Sequence, residues 1–454
     1  MSEAHDARVR SAVEGTVWPA IPDAPGATML AVQFQLLQSQ WWPGARLERA
    51  QLGQLRQLLS HAYETIPFHR ARLTAAGYDP GQSLTWETFR RLPFLTRGEI
   101  QEQGPALLST RIPPGHGRVG QGETSGSTGR PITFYQTELT QFFWRAFTLR
   151  EHLWHRRDFT GKLAGIRTKV EAQEHANWGP AVAGVFDTGP SVTLNIRTDV
   201  DAQLDWLSRQ NPDYLVTHPS NLRALAQRAL PRRVALPRLK QARTFGEALS
   251  GDVRALCRAA WGVAIADIYS AEEVGYIALQ CPEHEHYHVQ SEGVLVEVLR
   301  EDGSGCGPGE IGRVVITALH NFAMPLVRYQ IGDFAQVGVP CPCGRGLPVL
   351  SRVMGRARNM IRLPDGRQHW PSFPAELWTE VAPVHQFRLV QRALDAIEVE
   401  LVAGRVLSHA EKARLVAGLE ASLGYPFAIE IIQVPAIART PAFKYEDFVC
   451  ELDR

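Results

Sequence analysis

The segment from Thr124 to Pro131 carries the strongest chemical signal in the chain and reads Thr-Ser-Gly-Ser-Thr-Gly-Arg-Pro. Glycines let backbone N–H groups turn toward an anion, hydroxyl side chains add hydrogen bonds, and Arg130 adds a fixed positive charge. The segment lacks the Walker A spacing Gly-x-x-x-x-Gly-Lys-Ser/Thr, so it does not indicate a P-loop NTPase. A solvated Gly/Ser turn is the alternative interpretation. The segment predicts a loop that binds a nucleoside triphosphate through Thr124, Ser125, Gly126, Ser127, Thr128, Gly129 and Arg130.

Cysteine and histidine side chains form a second candidate site. Cys281 precedes a run of alternating histidines, and a Cys-Pro-Cys segment follows later in the chain. Three thiolates and one imidazole would complete a closed tetrahedral zinc site, whereas a disulfide between such close cysteines would be strained. We predict a structural zinc site with ligands among Cys281, His284, His286, His288, Cys341 and Cys343. The other cysteines, Cys257, Cys306 and Cys450, are interpreted as structural.

The composition is that of an ordinary globular protein. A chain of 454 residues is too long for one core and predicts two or three domains. The net charge of +1, with acids and bases intermixed, gives no electrostatic reason to expect nucleic-acid or membrane partners. No apolar run reaches the roughly 20 residues that span a bilayer, and the first residues lack a signal-peptide pattern, so we expect a cytoplasmic protein.

The elements that must position these residues alternate between about 200 and 275. The pattern predicts helices at 201–209, 220–230 and 250–261, and strands at 214–217, 242–245 and 265–269. Such alternation is typical of βαβ units around a parallel sheet. Ser220 and Ser250 are predicted to cap two of these helices.

The rest of the chain predicts a helical start, a β-rich part and a small terminal module. Apolar residues at helical spacing, Leu52, Leu55, Leu58, Leu59 and Ala62, indicate an N-terminal helix. The glycine loop is predicted to lie between a loop region and a strand at 132–136, which a helix at 138–156 follows. Strands at 294–299, 312–318 and 327–337 suggest a second, β-rich layer. Strands at 387–390, 397–402 and 427–434, with a helix at 408–423, predict a small α+β domain.

Four further segments follow the glycine loop in order: Gly246-Glu-Ala-Leu-Ser250, Tyr269-Ser-Ala-Glu-Glu-Val-Gly275, Arg328-Tyr-Gln-Ile-Gly-Asp333 and Arg352-Val-Met-Gly-Arg356. With them, and with the early segment Ala62-Tyr-Glu-Thr-Ile-Pro-Phe-His-Arg70, the chain resembles the adenylate-forming superfamily. Within it, the resemblance is to the branch of phenylacetate–CoA ligases and capsular-biosynthesis adenylate-forming enzymes. The resemblance covers most of the chain. It implies an α/β domain at 1–354, with parallel sheets and a β-rich layer, and a small mobile α+β domain at 355–454.

The resemblance implies ATP-dependent activation of a carboxylic acid. Thr124 to Arg130 would hold the β- and γ-phosphates, and Glu273 would bind magnesium, although Glu272 beside it leaves the choice between them open. Asp333 would accept hydrogen bonds from the ribose, and Arg352 would lie near the nucleotide. Gly246, Glu247, Tyr269 and Ser270 would frame the adenine. For zinc, His288 fits the family position in Tyr287-His-Val, with His286 as its rival beside Cys281, Cys341 and Cys343.

The superfamily also supplies a catalytic lysine near the C-terminus, which meets developing charge at the carboxylate and α-phosphate. Lys444 is the candidate here, although Phe443 replaces the usual glycine before it. A surface lysine is the alternative interpretation. The hinge of the small domain is expected in the segment Ala357-Arg-Asn-Met360, where the common aspartate is missing.

The implied reaction forms an acyl-AMP and pyrophosphate, and then transfers the acyl group to CoA, a carrier-protein thiol or an amine. The acid, aromatic acids included, is not specified by the sequence, and the protein is expected to be a monomer or a homodimer. Trp144, Phe147, Trp178, Phe186, His218 and Phe245 could line an acyl pocket or belong to the core. Two other functions stay open: a catalytically silent nucleotide-binding or scaffold protein with this fold, and a nucleotidyl transferase that hands AMP to an acceptor.

Overall fold

The computed structural model describes residues 8–124, 131–371, 373, 377–378, 381–382, 384–437 and 445–452. The α-helices in these ranges are α1 (Ala24–Ser39), α2 (Gly44–Thr65), α3 (Pro67–Ala75), α4 (Trp86–Arg90), α5 (Arg97–Gln103), α6 (Glu138–Trp154), α7 (Pro180–Ala183), α8 (Val200–Gln210), α9 (Pro219–Arg232), α10 (Gly251–Trp261) and α11 (His409–Leu423). Short 3₁₀ helices span Gly104–Leu107 and Ala357–Asn359. Among the described residues, no helix has the length and apolarity needed to cross a bilayer.

The strands of the large domain are β1 (Val119–Glu123), β2 (Thr133–Thr137), β3 (Leu163–Arg167), β4 (Gln173–His175), β5 (Ser191–Asn195), β6 (Tyr214–Thr217), β7 (Gln241–Phe245), β8 (Ala264–Ala271), β9 (Gly275–Gln280), β10 (Tyr287–Val289), β11 (Val294–Leu299), β12 (Ile311–Ala318), β13 (Tyr329–Val337) and β14 (Val349–Arg356). The small domain has β15 (Ile361–Arg362), β16 (Gln368–His369), β17 (Val384–Ala393), β18 (Ala396–Ala403), β19 (Ala428–Gln433) and β20 (Phe448–Cys450).

The predicted N-terminal helix is confirmed as α2. Leu55, Leu58, Leu59 and Ala62 are fully buried, because their spacing places them on one face of the helix. The helix stops at Ile66, which takes an extended conformation with φ −128° and ψ 105°. Pro67 follows Ile66, and a proline disfavours helical geometry in the residue before it.

The parallel sheet is confirmed. Strands β5, β3, β6, β7 and β8 lie side by side and parallel, and β4 pairs antiparallel with the outer edge of β5. Apolar residues of β3, β5 and β6 pack with α8, α9 and α10 in one core cluster. The prediction of Ser220 as a helix cap was wrong, because Pro219 already starts α9 and His218 is the N-cap residue. Ser250 does occupy the N-cap position of α10, but its hydroxyl accepts a hydrogen bond from Arg223 instead of from the helix.

The β-rich part continues the same sheet. The chain reverses between β8 and β9, where Gly275 has a φ of +106° that a side chain would disfavour. β9 therefore pairs antiparallel with β8, and the sheet runs on through β10, β14, β13, β12 and β11 to reach twelve strands. The strands expected as a second layer are thus hydrogen-bonded to the parallel part, because the turn after β8 adds the next strand to the open edge.

The glycine loop connects two strands. β1 pairs antiparallel with β2 from Val119 opposite Thr137 to Glu123 opposite Thr133. The prediction of a loop region before the glycine loop was therefore wrong. The segment Val-Gly-Gln-Gly-Glu of β1 contains two glycines, which are depleted in strands, so local propensity gave no strand signal.

The small α+β domain is confirmed. Its sheet has the order β19-β18-β17-β20, and α11 contributes buried leucines to its core. Ser408 caps α11 with Glu411 in a reciprocal capping box, and Gly424 ends the helix with a φ of +69°. β14 continues to Arg356, just past the proposed boundary at residue 354.

Candidate active site

A cleft of about 2430 Å³ is lined by residues of both domains. The described residues that the sequence predicted for nucleotide binding all line it: Thr124, Gly246, Glu247, Tyr269, Ser270, Glu273, Asp333 and Arg352. The other predicted residues, Ser125, Gly126, Ser127, Thr128, Gly129, Arg130 and Lys444, lie outside the described residues. The fold therefore brings distant parts of the chain to one cleft.

Thr124 is fixed at the start of the glycine loop. Its backbone N–H donates to the carbonyl oxygen of Ile132 at 2.9 Å, and its hydroxyl accepts from the Ile132 N–H at 3.0 Å. Arg97, the first residue of α5, donates to the same hydroxyl at 3.3 Å. The two ends of the loop are thus tied together beside a cation at the cleft.

Tyr269 and Asp333 form a hydrogen-bonded pair in the cleft. The phenol donates to Oδ2 of Asp333 at 2.9 Å. Burial raises the pKa of Tyr269 well above its usual value, and the Asp333 carboxylate raises it further, so the phenol stays protonated. The Asp333 carboxylate keeps further lone pairs with which it can accept a hydrogen bond from a ligand hydroxyl.

Arg356, which sequence reasoning did not select, is a cation beside Asp333. Its Nε lies 3.5 Å from Oδ1 of Asp333, and the two residues are register partners in β13 and β14. The predicted cation, Arg352, also lines the cleft but is exposed and lies opposite Gln336. Both arginines belong to the motif Arg352-Val-Met-Gly-Arg356. The sequence therefore offered both as candidates, but only the register of β13 and β14 shows which of them lies beside Asp333.

The two adjacent glutamates, Glu272 and Glu273, differ in burial. Glu273 is buried, whereas Glu272 is exposed. Burial raises the pKa of Glu273, and Asp333 raises it further, while Arg97 and Arg356 oppose the shift. The Tyr329 hydroxyl donates to Oε1 of Glu273 at 3.5 Å. A buried carboxylate near a second carboxylate has the chemistry of a divalent-cation ligand, because a cation offsets the cost of burying both charges.

Gly246 and Glu247 follow β7 at the cleft. Gly246 has a φ of +81°, which turns the chain out of the strand. The Glu247 carboxylate accepts from the N–H and hydroxyl of Ser220 at 3.0 and 3.1 Å and from the Tyr445 N–H at 2.9 Å. Glu247 therefore joins the start of α9 to the small domain, a role that sequence reasoning missed because residue 445 is distant in the chain.

The aromatic residues divide into two groups. Trp144 and Phe245 line the cleft, as does His218, whose Nδ1 donates to the carbonyl oxygen of Phe245 at 3.0 Å. Phe147, Trp178 and Phe186 are buried in core clusters. The first group alone can contact a ligand in this cleft.

The cysteine and histidine residues form a compact cluster. The ligand atoms of Cys281, His286, His288 and Cys341 lie within 4.8 Å of one another. Cys343 Sγ lies 3.4 Å from His288 Nε2, and Cys281 Sγ lies 3.9 Å from Cys341 Sγ. The four predicted ligands and the rival His286 are therefore all present in one place.

The donor set fits a zinc ion. Four thiolate or imidazole ligands around zinc place two sulfur atoms about 3.8 Å apart, given Zn–S bonds of about 2.3 Å. The Cys281–Cys341 separation of 3.9 Å agrees with this. Burial lowers the pKa of His288 to about 3, so its imidazole is neutral and has a free lone pair, and His286 Nε2 is buried without a hydrogen-bond partner among the described residues.

Comparisons with known proteins give one consistent group of relatives. The chain is 26% identical to a phenylacetate-coenzyme A ligase of Thermus thermophilus over 377 residues, which is 79% of this chain and 81% of that protein. It is 23% identical to the Escherichia coli phenylacetate-coenzyme A ligase over 381 residues, 78% of this chain and 82% of that one. No protein-family model matches the chain.

Solved structures agree with these relatives. A 2-hydroxyisobutyryl-CoA ligase in its postadenylation state superposes with a TM-score of 0.71 at 20% identity, covering 92% of each chain. An anthranilate CoA ligase in complex with anthranoyl-AMP gives a TM-score of 0.53 at 17% identity, over 72% of this chain and 64% of that one. These relatives and solved structures belong to the adenylate-forming superfamily, so the resemblance that the sequence motifs indicated is confirmed. The fold class of the chain is that of these enzymes.

Arg97, like Arg356, is a cleft residue that sequence reasoning did not select. Arg97 follows Thr96, which forms a capping box with Glu99 and so fixes the start of α5. The Thr-x-x-Glu spacing is a sequence pattern typical of the N-terminus of a helix. Its relation to the glycine loop depends on a tertiary contact, however, because Leu95 lies beside Tyr329 of β13.

Proposed function

We propose that this adenylate-forming enzyme activates a carboxylic acid with ATP and transfers the acyl group to CoA. In the first step a carboxylate oxygen attacks the α-phosphorus, the bond to the pyrophosphate oxygen breaks, and acyl-AMP and pyrophosphate form. In the second step the CoA thiolate attacks the acyl carbon and AMP leaves. The observation that carries the proposal is the convergence of Thr124, Glu273 and Asp333 on one cleft in a chain of this superfamily.

The described residues have matching chemical roles. Arg97 fixes Thr124 at the start of the loop that would hold the β- and γ-phosphates. Asp333, oriented by the Tyr269 hydroxyl, would accept hydrogen bonds from the ribose, and Arg356 would add positive charge beside it. Gly246 and Ser270, which line the cleft, would frame the adenine.

Glu273 is the proposed magnesium ligand, and Glu272 is not, because only Glu273 is buried beside a second carboxylate. A bound magnesium ion would offset negative charge on the phosphates. Lys444 is the proposed catalytic lysine, which would meet the charge that develops between the carboxylate and the α-phosphate.

The proposal also covers the acid substrate and the acceptor of the acyl group. Trp144 and Phe245 at the cleft are compatible with an aromatic acid, and the named relatives act as CoA ligases. A carrier-protein thiol and an amine are the alternative acceptors.

We further propose a structural zinc ion on the cysteine and histidine cluster. For the domains, we propose a hinge within residues 357–360 and a mobile small domain that begins near residue 355. We expect the protein to be a cytoplasmic monomer or homodimer.

The decisive experiment measures pyrophosphate release with ATP, magnesium and a panel of aromatic, hydroxy, amino and fatty acids. Acid-dependent release, followed by AMP release when CoA is added, is the expected result. ATP binding without release for any acid would favour a catalytically silent protein, and transfer of AMP to an added acceptor would favour a nucleotidyl transferase. Lys444→Ala should slow the first step by roughly 100-fold or more, as removal of a charge-stabilising group does.

A further inference from the structure

The residues directly after Lys444 are held by polar partners. The Tyr445 N–H donates to Glu247 at 2.9 Å. The Glu446 carboxylate accepts from the Arg358 guanidinium at 2.7 to 3.0 Å. The Asp447 carboxylate is the third member of this series and contacts a residue of the large domain.

Arg223 contacts both carboxylate oxygens of Asp447. Its Nη1 donates to Oδ1 at 2.9 Å and to Oδ2 at 3.0 Å. Nη2 of the same guanidinium donates to the Ser250 hydroxyl at 3.0 Å and lies 3.0 Å from Oδ2 of Asp252. One side chain of α9 therefore joins the start of α10 to the small domain.

Arg223 is buried in this contact, and Asp447 is partly buried. The Arg223 side chain is 11% exposed and the Asp447 side chain is 29% exposed. Two carboxylates raise the pKa of Arg223, while burial raises the pKa of Asp447 against the effect of Arg223. Arg223 therefore offsets the cost of removing the Asp447 carboxylate partly from water.

Asp447 is in turn fixed to the small-domain sheet. Its carbonyl oxygen accepts from the Leu389 N–H of β17 at 2.9 Å, and β20 begins at the next residue. The guanidinium carbon of Arg223 also lies 5.7 Å from the ring centroid of Phe387, another β17 residue. Arg223 thus contacts the sheet of the small domain both through an ion pair and over an aromatic ring.

The two ion pairs of this segment differ in what a domain rotation would do to them. Arg358 lies in the proposed hinge segment 357–360, so its contact with Glu446 is close to the pivot of such a rotation. Arg223 and Asp447 lie on opposite sides of the proposed boundary, so their contact exists in only one orientation of the small domain. The Glu247–Tyr445 hydrogen bond crosses the boundary in the same way.

We infer that Arg223 is a positioning residue for acyl-AMP formation, which holds Asp447 and the start of the segment 445–452 at the proposed nucleotide cleft. The inference rests on the proposed function. Lys444, the proposed catalytic lysine, directly precedes this segment in the sequence. Misplacing a reacting group by about 1 Å can reduce a rate by about 100-fold. Acyl transfer from acyl-AMP to CoA breaks no bond at the α-phosphorus, so we expect it not to need this contact.

The test compares Arg223→Ala with Arg232→Ala. Arg232 lies on the same helix and pairs with Asp201 and Asp205, which belong to the large domain, so its loss leaves the domain contact intact. Single-turnover pyrophosphate formation should fall roughly 10- to 100-fold in Arg223→Ala and stay at the wild-type rate in Arg232→Ala. Consumption of supplied acyl-AMP by CoA should keep its wild-type rate in both variants. Equal loss in both half-reactions would overturn the inference.

A second pair of variants uses conservative substitutions, so that a rate loss caused by misfolding can be recognised. Asp447→Asn keeps the shape of the side chain and removes its charge, and Arg223→Lys keeps the cation but loses the second nitrogen, which reaches Ser250 and Asp252. Asp447→Asn should reproduce the selective loss, and Arg223→Lys should restore part of the rate. Wild-type pyrophosphate formation in Asp447→Asn would overturn the inference.

Hydrogen exchange of the peptide covering residues 445–452 separates this inference from the proposed function. Exchange should be faster in Arg223→Ala than in the wild type and unchanged in Arg232→Ala, and this readout needs no turnover. Unchanged exchange in Arg223→Ala would overturn the inference even if the enzyme activates acids. Absence of acid-dependent pyrophosphate from the wild type would overturn the proposed function, whatever the exchange result.

Discussion

Asp333 and Arg356 face each other across strands β13 and β14, with Arg356 Nε 3.5 Å from Asp333 Oδ1. The Tyr269 hydroxyl donates to the other carboxylate oxygen at 2.9 Å. Asp333 is therefore held between a neutral donor and a cation, with one face directed to the cleft. Arg356 is therefore in closer contact with Asp333 than Arg352, which lies opposite Gln336.

Replacing Arg356 by alanine should weaken the use of ATP more than replacing Arg352. A hydrogen bond to a charged group contributes about 1.5–3 kcal/mol, so kcat/KM for ATP should fall roughly 10- to 100-fold in Arg356→Ala. The measurement is acid-dependent pyrophosphate formation at varied ATP concentration. Arg352→Ala is the matched control from the same strand, and a larger loss in that variant would contradict the assignment.

Glu273→Gln should remove the magnesium dependence of the first step, while Glu272→Gln should not. The expected loss is about 100-fold or more in pyrophosphate formation, because Gln cannot supply the anionic oxygen that the cation needs. Titration of the rate with magnesium measures this. A normal magnesium response in Glu273→Gln, or its loss in Glu272→Gln, would reverse the assignment.

The pH profile provides a second check on Glu273. Burial raises the pKa of this carboxyl above its usual value of 4.5, so the ionised form that can bind a cation is lost at higher pH than for an exposed glutamate. The acidic limb of kcat/KM should therefore lie above pH 4.5. A limb at or below that pH would mean that another group controls it.

Zinc should be present in purified protein at one equivalent per chain and should fall in Cys341→Ser. Metal analysis of His286→Ala and His288→Ala then decides the histidine ligand. Loss of zinc only in His288→Ala agrees with the predicted set of ligands, whereas loss only in His286→Ala replaces it. Cys257→Ser is a control, because burial raises the pKa of that lone thiol to about 12 and it lies outside the cluster.

His69 should make folding stability depend on pH. Burial lowers its pKa from 6.5 to about 4, and its Nε2–H donates to the carbonyl oxygen of Pro325 at 3.0 Å. Because the folded pKa is depressed, the contribution is fully present above pH 6.5 and is lost as pH falls toward 4. It amounts to about 3 kcal/mol at most.

Urea unfolding of the wild type and His69→Gln at several pH values between 7.5 and 4.5 measures this contribution. The free energy of unfolding should fall less steeply with decreasing pH in His69→Gln, whose amide can still donate to Pro325. Identical slopes in the two proteins would contradict the assignment of the pH dependence to His69.

Much of the fold and the candidate site could be predicted from sequence where the signal is local. The spacing of Leu55, Leu58 and Leu59 gave α2, and strand 214–217 had the right bounds. The glycine-rich composition of β1 and the proline at the start of α9 misled the predictions there, because pairing with β2 and the fixed φ of Pro219 outweighed propensity and capping preference.

The sequence alone determined the resemblance to the superfamily, the order of the motifs and the residue types whose chemistry suits phosphate, magnesium and zinc. These follow from side-chain chemistry, which is the same wherever the residue lies. Only the tertiary structure decided that Glu273 is buried and Glu272 is not, that Arg356 faces Asp333, and that Arg223 binds Asp447. Burial, strand register and a contact between residues 224 positions apart arise from packing of the whole chain, and no local pattern encodes them.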